Sequence, residues 1–170
     1  MAGISVRFFL DKSEYTFGEE IWGNLEIRNQ SQSLRIVPIT SDFQNSNQHS
    51  PLYDLEKLVL TSEEGTTELF PVCTNMYHVS GVRGPIQPQQ TIKERSLLVP
   101  GLWNLDGTSR RVKNPAPASY SIEAVYGYGP THPDHEPCPS EELITRAVDL
   151  GRFWVGSVTT PPFSFVVRQV

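Results

Sequence analysis

The sequence lacks the features that mark membrane-spanning and nucleic-acid-binding proteins. None of its apolar runs reaches the roughly 18 residues that a membrane-spanning helix needs, so no membrane partner is predicted. Its 14 basic residues are outnumbered by 19 acidic ones, which gives a formal net charge of -5. A broad basic face is therefore not expected, and nucleic acid is excluded as a predicted partner.

Cysteine is also scarce, and a secretion signal is missing. The opening "MAGISVRFFLDK" enters a strand pattern at once, without a basic stretch followed by an apolar one. The sequence therefore predicts a cytoplasmic protein. In that compartment Cys73 and Cys138, the only two cysteines, are expected to be free thiols.

The motifs of common catalytic sites are missing as well. The chain contains no G-x-S-x-G elbow, no phosphate-binding P-loop and no G-x-G-x-x-G turn. Adjacent carboxylates such as Glu19–Glu20 would point to opposite sides of a strand, so they do not form an acid–base pair. Carboxylates distant in sequence could still meet in space, as they do in glycosidases, but no pattern here points to such a pair. A non-enzymatic protein is predicted.

What the sequence does contain is a series of short alternating segments. Apolar residues recur at every second position in 4–10, 21–27 and 120–126, which is typical of half-buried strands. Twelve glycines and 14 prolines punctuate these segments. With few helical segments, crossover connections are few, so the sheets should be antiparallel. We predict one domain over residues 1–170, an all-β sandwich of two antiparallel sheets built from eight or nine strands.

One segment departs from this pattern. In "PSEELITRAVDLG", Ser140 can cap a helix at its start and Gly151 at its end, with apolar residues at helical spacing between them. This predicts a short helix near 141–149. It belongs to a loop-plus-helix insertion at 127–152, far longer than the connections of about 12–15 residues that compact domains tolerate without a function.

Two stretches resemble a known fold. "YTFGEEIWGNLEIRNQSQSLRI" is similar to the opening strands of immunoglobulin-like domains. "PQQTIKERSLLVPG" followed by "PAPASYSIEAVYG" is similar to their late strands, where a tyrosine begins the penultimate strand. The order of elements also resembles the intracellular proteinase inhibitor family of bacilli. That resemblance implies an immunoglobulin-like sandwich and raises protease inhibition as one possible activity, but it transfers no functional residue. The insertion at 127–152 is longer than the final hairpin of that family.

The insertion carries the leading site prediction. From Tyr126 to Ser140 it combines aromatic, charged and proline residues, and loops at the end of a sandwich commonly carry binding function. A proline-stiffened loop would lose little entropy on entering a protease cleft. The predicted partner is a protein, and the candidate binding residues are Tyr126, Tyr128, His132, Asp134, His135 and Glu136.

The segment "HPDHEPC" within the insertion raises a second possibility. His132, His135 and Cys138 stand three residues apart, and Cys73 or His78 could supply a fourth ligand for tetrahedral zinc. Three prolines stiffen the same stretch, however. In an extended polyproline conformation these positions would lie about 9 Å apart, too far for one ion. Zinc binding and a plain polar loop are the two interpretations.

A third possibility concerns the outward-facing apolar residues Phe9, Trp22 and Val166. If their strands are adjacent, they form an apolar stripe on a sheet face, and such a stripe is usually covered. The helix near 141–149 could pack over it as a second small core. Alternatively, the stripe could bind a partner or a second copy of the chain, so a homo-oligomeric assembly subunit is the remaining hypothesis.

Overall fold

The computed structural model describes residues 3–38, 55–71, 83–99, 103–105, 113–127 and 157–170. Within these ranges the chain forms twelve β-strands and no helix, so the prediction of an all-β structure is confirmed. The predicted helix near 141–149 lies outside the described residues, as does the insertion apart from its first residue, Gly127. The strands are β1 (Ile4–Leu10), β2 (Glu14–Thr16), β3 (Ile21–Asn29), β4 (Arg35–Pro38), β5 (Leu55–Ser62), β6 (Gly65–Pro71), β7 (Arg83–Ile86), β8 (Thr91–Val99), β9 (Trp103–Leu105), β10 (Ala118–Gly127), β11 (Ser157–Thr159) and β12 (Phe163–Arg168).

Two sheets make up most of the described structure. Sheet A has the order β1-β3-β8 and is antiparallel throughout. Sheet B has the order β2-β12-β10-β5-β6-β9, with the short strand β11 added to β10. A separate two-stranded pair joins β4 and β7. The arrangement is that of a β-sandwich.

Alternation along the strands separates the core from the surface. In β3 every second residue from Ile21 onward is buried, while Trp22 and Asn24 lie half-buried on the other side. In β1, Phe8 and Leu10 are buried, whereas Arg7, one residue before Phe8, is exposed on the other side of the strand. One continuous cluster of buried residues takes its members from both sheets. The inner faces of the two sheets therefore share one core.

One strand pair is an exception to the predicted antiparallel pairing. β2 pairs with β12 in parallel, with Val166 beside Glu14 and Arg168 beside Thr16. The cause is a change of sheet. After Leu10 the chain leaves sheet A and, three residues after Asp11, joins the edge of sheet B, where it runs in the same direction as β12. Because β3 runs opposite to this N-terminal segment and β12 runs along with it, the first pair is antiparallel and the second is parallel.

Two polar side chains stabilise the connections between strands. The buried Asn29, at the end of β3, donates from Nδ2 to the Ser33 carbonyl at 2.8 Å and to the Ile86 carbonyl at 2.9 Å. At the start of β10, the Tyr120 hydroxyl donates to the carbonyl of Ala116 at 2.6 Å. The bonds to Ser33 and Ala116 connect a strand to the backbone of an adjoining turn, and the bond to Ile86 connects β3 to the end of β7, so the three bonds fix how the chain enters or leaves the sheet.

Candidate binding surfaces

The predicted loop site can be located at one residue only. Tyr126 belongs to β10, and its side chain is completely buried in the shared core, so its ring does not face a partner. The other candidates of that site lie outside the described residues: Tyr128, His132, Asp134, His135 and Glu136.

The predicted zinc ligands His132, His135, Cys138 and Cys73 also lie outside the described residues. Within the part of the chain that the structure describes, no group of three or more His, Cys, Asp or Glu side chains could hold a metal ion. Zinc binding by "HPDHEPC" therefore stays a prediction.

The three residues of the predicted apolar stripe do not lie together. Phe9 lies on β1 and Trp22 lies on β3, which are neighbouring strands of sheet A. Phe9 pairs with Asn24, and Asn24 is two residues from Trp22 along β3, so both aromatic side chains are on the outer face of the sheet. Val166 lies on β12 in sheet B, opposite Ser119. The prediction of one apolar stripe was wrong for Val166, because β12 pairs with β10 and β2 in sheet B and not with β1 or β3 in sheet A.

Each aromatic ring of the sheet A face lies beneath an arginine. The guanidinium carbon of Arg95, on β8, is 4.1 Å from the centroid of the Trp22 ring. That of Arg7 is 4.5 Å from the Phe9 ring centroid. Both distances are well inside the 6 Å range of cation–π attraction. The indole Nε1 of Trp22 donates to the Glu20 carboxylate at 3.2 Å, which fixes the ring from its other end.

A carboxylate holds Arg95 in place over the tryptophan. Asp11 forms a salt bridge with Arg95 and accepts a hydrogen bond from Asn24 Nδ2 at 2.7 Å. The hydrogen bond from Arg95 is the main cause that lowers the pKa of Asp11 below its ordinary value of 3.8, and the bond from Asn24 adds to it against the opposing effect of burial. The stacked guanidinium is thus positioned by a group that is charged at neutral pH.

The same face is rich in cations. The Glu26 carboxylate lies 3.6 Å from Arg7 Nη1 and 3.7 Å from Lys93 Nζ. Arg28, two residues further along β3, is on the same face. The cationic–aromatic face, as we call it, comprises Arg7, Phe9, Trp22, Arg28, Lys93 and Arg95. Two carboxylates, Asp11 and Glu26, form ion pairs with cations of this face, and a third, Glu20, accepts from Trp22, so the face has one cation in excess although the whole chain has a net charge of -5.

The outer face of sheet B has a different chemistry. A row of hydroxyls crosses four adjacent strands, because Thr66 pairs with Thr61, Thr61 with Ser121, and Ser121 with Ser164. The Oγ1 atoms of the two threonines are 3.3 Å apart. Neighbouring strands lie about 4.8 Å apart, so the row is evenly spaced. The same face also carries charged side chains, among them the ion pair of Lys57 and Glu68.

Sequence reasoning missed Arg95 and Asp11 at the first face and the hydroxyl row at the second. The alternation of β8 gives the signal for Arg95, since Lys93 and Arg95 both occupy its exposed phase. The hydroxyl row could not be found without the pairing register.

Comparison with protein-family models, with curated proteins and with solved structures finds no match. In the described ranges the structure has no helix that is long and apolar enough to cross a membrane.

Proposed function

We propose that this chain is a non-enzymatic protein-binding module and that the cationic–aromatic face of sheet A contacts the partner. The observation that carries the proposal is the pair of stacked aromatics, Trp22 beneath Arg95 and Phe9 beneath Arg7. Tryptophan and arginine are the residues most enriched among those that dominate binding energy at protein interfaces.

The face is prepared for binding in two ways. Asp11 and Glu20 already hold Arg95 and Trp22 in position, so these side chains have less conformational entropy to lose when a partner arrives. The aromatic pair lies toward the end of sheet A where β3 begins, and charged side chains adjoin it, so the face combines the apolar and polar groups that interfaces contain. The excess of cations favours a partner whose contact surface is acidic.

We further propose that the sandwich is immunoglobulin-like. In that fold the first, second and fifth main strands share one sheet, and the third, sixth and seventh form the other. Strands β1, β3 and β8 against β5, β10 and β12 follow this division. The bond from the Tyr120 hydroxyl to the Ala116 carbonyl supports the proposal, because it has the form of a tyrosine corner at the start of the penultimate main strand.

The functional proposal is tested by affinity capture with matched surface variants. The full chain is compared with the double variant Trp22→Ser, Arg95→Ser and with Ser121→Ala, Ser164→Ala on the outer face of sheet B. All three are first checked for a native circular dichroism spectrum. Lysate of the source cells supplies the partners, and quantitative mass spectrometry ranks them.

We expect at least one protein to be retained by the unaltered chain and by the sheet B variant, and to be lost at least tenfold by the sheet A variant. Its purified form should bind more weakly as salt is raised, because exposed charge pairs are screened. The proposal fails if the sheet A variant retains the same proteins at the same level, or if the unaltered chain retains none above an unrelated control.

A further inference from the structure

A cavity of about 1060 Å³ lies between the two sheets. Its walls are apolar and come from both sides of the sandwich: Ile21 and Leu98 from sheet A, and Leu60, Ile122 and Phe165 from sheet B. It lies near the end of the sandwich where β3 and β10 begin and β8 ends. This volume is at the upper end of the roughly 300–1,000 Å³ typical of small-molecule pockets.

The polar groups of the cavity lie at one side. Ser62, Glu64 and Thr66 come from the hairpin between β5 and β6, and the exposed Lys113 comes from the segment before β10. Tyr120 lines the cavity between these groups and the apolar wall. Burial raises the pKa of its phenol, and the charge of Glu64 adds to that effect. The Tyr120 hydroxyl therefore stays neutral and keeps donating to its backbone acceptor.

A volume of this size and lining is not expected to be empty. The cavity opens to solvent beside exposed residues such as Lys113 and Glu64, so its two possible occupants are water and a ligand. Water is a poor filling because each water molecule needs two to four polar partners, and the walls formed by Ile21, Leu60, Leu98, Ile122 and Phe165 offer none from their side chains. An apolar occupant satisfies the walls.

We infer that the cavity is a binding site for a small amphiphile. Its apolar chain or ring system lies between the sheets, and its polar head lies at the side of Lys113 and Glu64. Lys113 and Glu64 carry opposite charges, so the head group that complements them is zwitterionic or uncharged. A carboxylate head is disfavoured by Glu64 and a lone ammonium head by Lys113. This site shares no residue with the cationic–aromatic face, so an experiment that refutes one of the two proposals leaves the other standing.

The first test is displacement of a neutral fluorescent probe, N-phenyl-1-naphthylamine, from the full chain. Four competitors share a twelve-carbon chain and differ in the head: lysophosphatidylcholine (zwitterionic), monoacylglycerol (neutral), the fatty acid (anionic) and the alkyl amine (cationic). All are used below their micelle concentrations. We expect one probe per chain, and displacement by the first two at a concentration at least tenfold lower than by the last two. The bound amphiphile should also raise the melting temperature of the chain.

Two variants locate the site. Leu60→Trp fills the cavity from a half-buried position and should weaken probe binding at least tenfold. Val166→Trp is the matched control, a half-buried aliphatic residue on the outer face of sheet B that does not line this cavity, and it should bind normally. Lys113→Glu changes only an exposed residue, so it keeps the proposal testable if Leu60→Trp does not fold. In Lys113→Glu, the concentration of alkyl amine needed to displace the probe should fall at least tenfold relative to that of the other competitors.

Three results would overturn the inference. The first is a natively folded chain that binds no probe, which would mean that its own residues or ordered water fill the volume. The second is probe binding that a folded Leu60→Trp leaves unchanged. The third is a head preference that Lys113→Glu does not alter.

Discussion

Replacing Gly23 by alanine would place a methyl group between two core side chains. Gly23 lies in the middle of β3, and its backbone is not among the glycines with positive φ, so alanine can adopt its conformation. An added Cβ would be 2.9 Å from Leu98 Cδ1 and 2.9 Å from Phe8 Cζ. Carbon atoms in good contact are about 3.5–4.0 Å apart, so the glycine is required for space alone.

The magnitude follows from which neighbour can move. Phe8 is 4 % exposed and its ring is surrounded by the core, so it cannot yield. Inserting one methyl group into a packed core costs about 1–3 kcal/mol. Alanine also stiffens the unfolded chain, which returns about 0.4–1 kcal/mol. Taking the middle of each range, about 2 and about 0.7 kcal/mol, we expect Gly23→Ala to lower the free energy of unfolding by about 1.3 kcal/mol.

Urea unfolding at equilibrium, followed by circular dichroism, measures the effect. Gly65→Ala is the contrasting control, because Gly65 has φ of +134° and nothing within 4 Å of an added Cβ. It should be destabilised by backbone strain of about 1–3 kcal/mol. In a chain that already carries Leu98→Val, the stability lost on adding Gly23→Ala should be smaller than in the unaltered chain. The stability lost on adding Gly65→Ala should be the same in both chains, because only Gly23 is close to Leu98. A Gly23→Ala chain as stable as the unaltered one would refute the reasoning and show that Leu98 can move into the cavity beside it.

Two further predictions concern single polar contacts. Tyr120→Phe removes the hydrogen bond to the Ala116 carbonyl but keeps the ring, so it should lower the free energy of unfolding by about 0.5–1.5 kcal/mol in a urea titration, with no loss expected at the exposed Thr91→Val. The pKa of Asp11 is lowered in the folded state, so its bond with Arg95 stabilises the fold above pH 3.8, the ordinary value, and this stabilisation is lost as the pH falls through the folded pKa. Asp11→Asn should therefore melt below the unaltered chain at pH 7, and the difference in melting temperature should shrink as the pH is lowered below 3.8. A difference that does not change with pH would contradict that sign.

The strands themselves were largely predictable, because apolar residues alternate along β1, β3 and β10. The eight or nine predicted strands became twelve in the described residues alone. Two strands that were not predicted, β2 and β7, have three and four residues, too few to establish a period. Segment length thus limited the count, while the type of structure was evident from the pattern.

The pairing of strands could not be predicted in the same way. Alternation tells which side of a strand is buried, but it does not tell which strand lies next to it, and so Val166 was grouped with Phe9 and Trp22. Tyr126 is a different case. It follows Ile122 and Ala124 in the buried phase of β10, so the alternation itself indicates a core position rather than a loop contact. The predictions made for the insertion, including zinc binding by His132, His135 and Cys138, stay predictions.

The parallel pair β2–β12 also determines when the sandwich can be completed during synthesis. Glu14 and Arg168 form an ion pair across 154 positions of sequence. At about 5–20 residues per second, β2 emerges from the ribosome roughly 8–30 s before its partner strand exists. β10 ends at residue 127, 36 residues before β12 begins at residue 163, so for roughly 2–7 s it lacks this neighbour and its edge is exposed to other chains. Slow, late closure makes this chain a candidate client of chaperones that shield unpaired strand edges while translation continues.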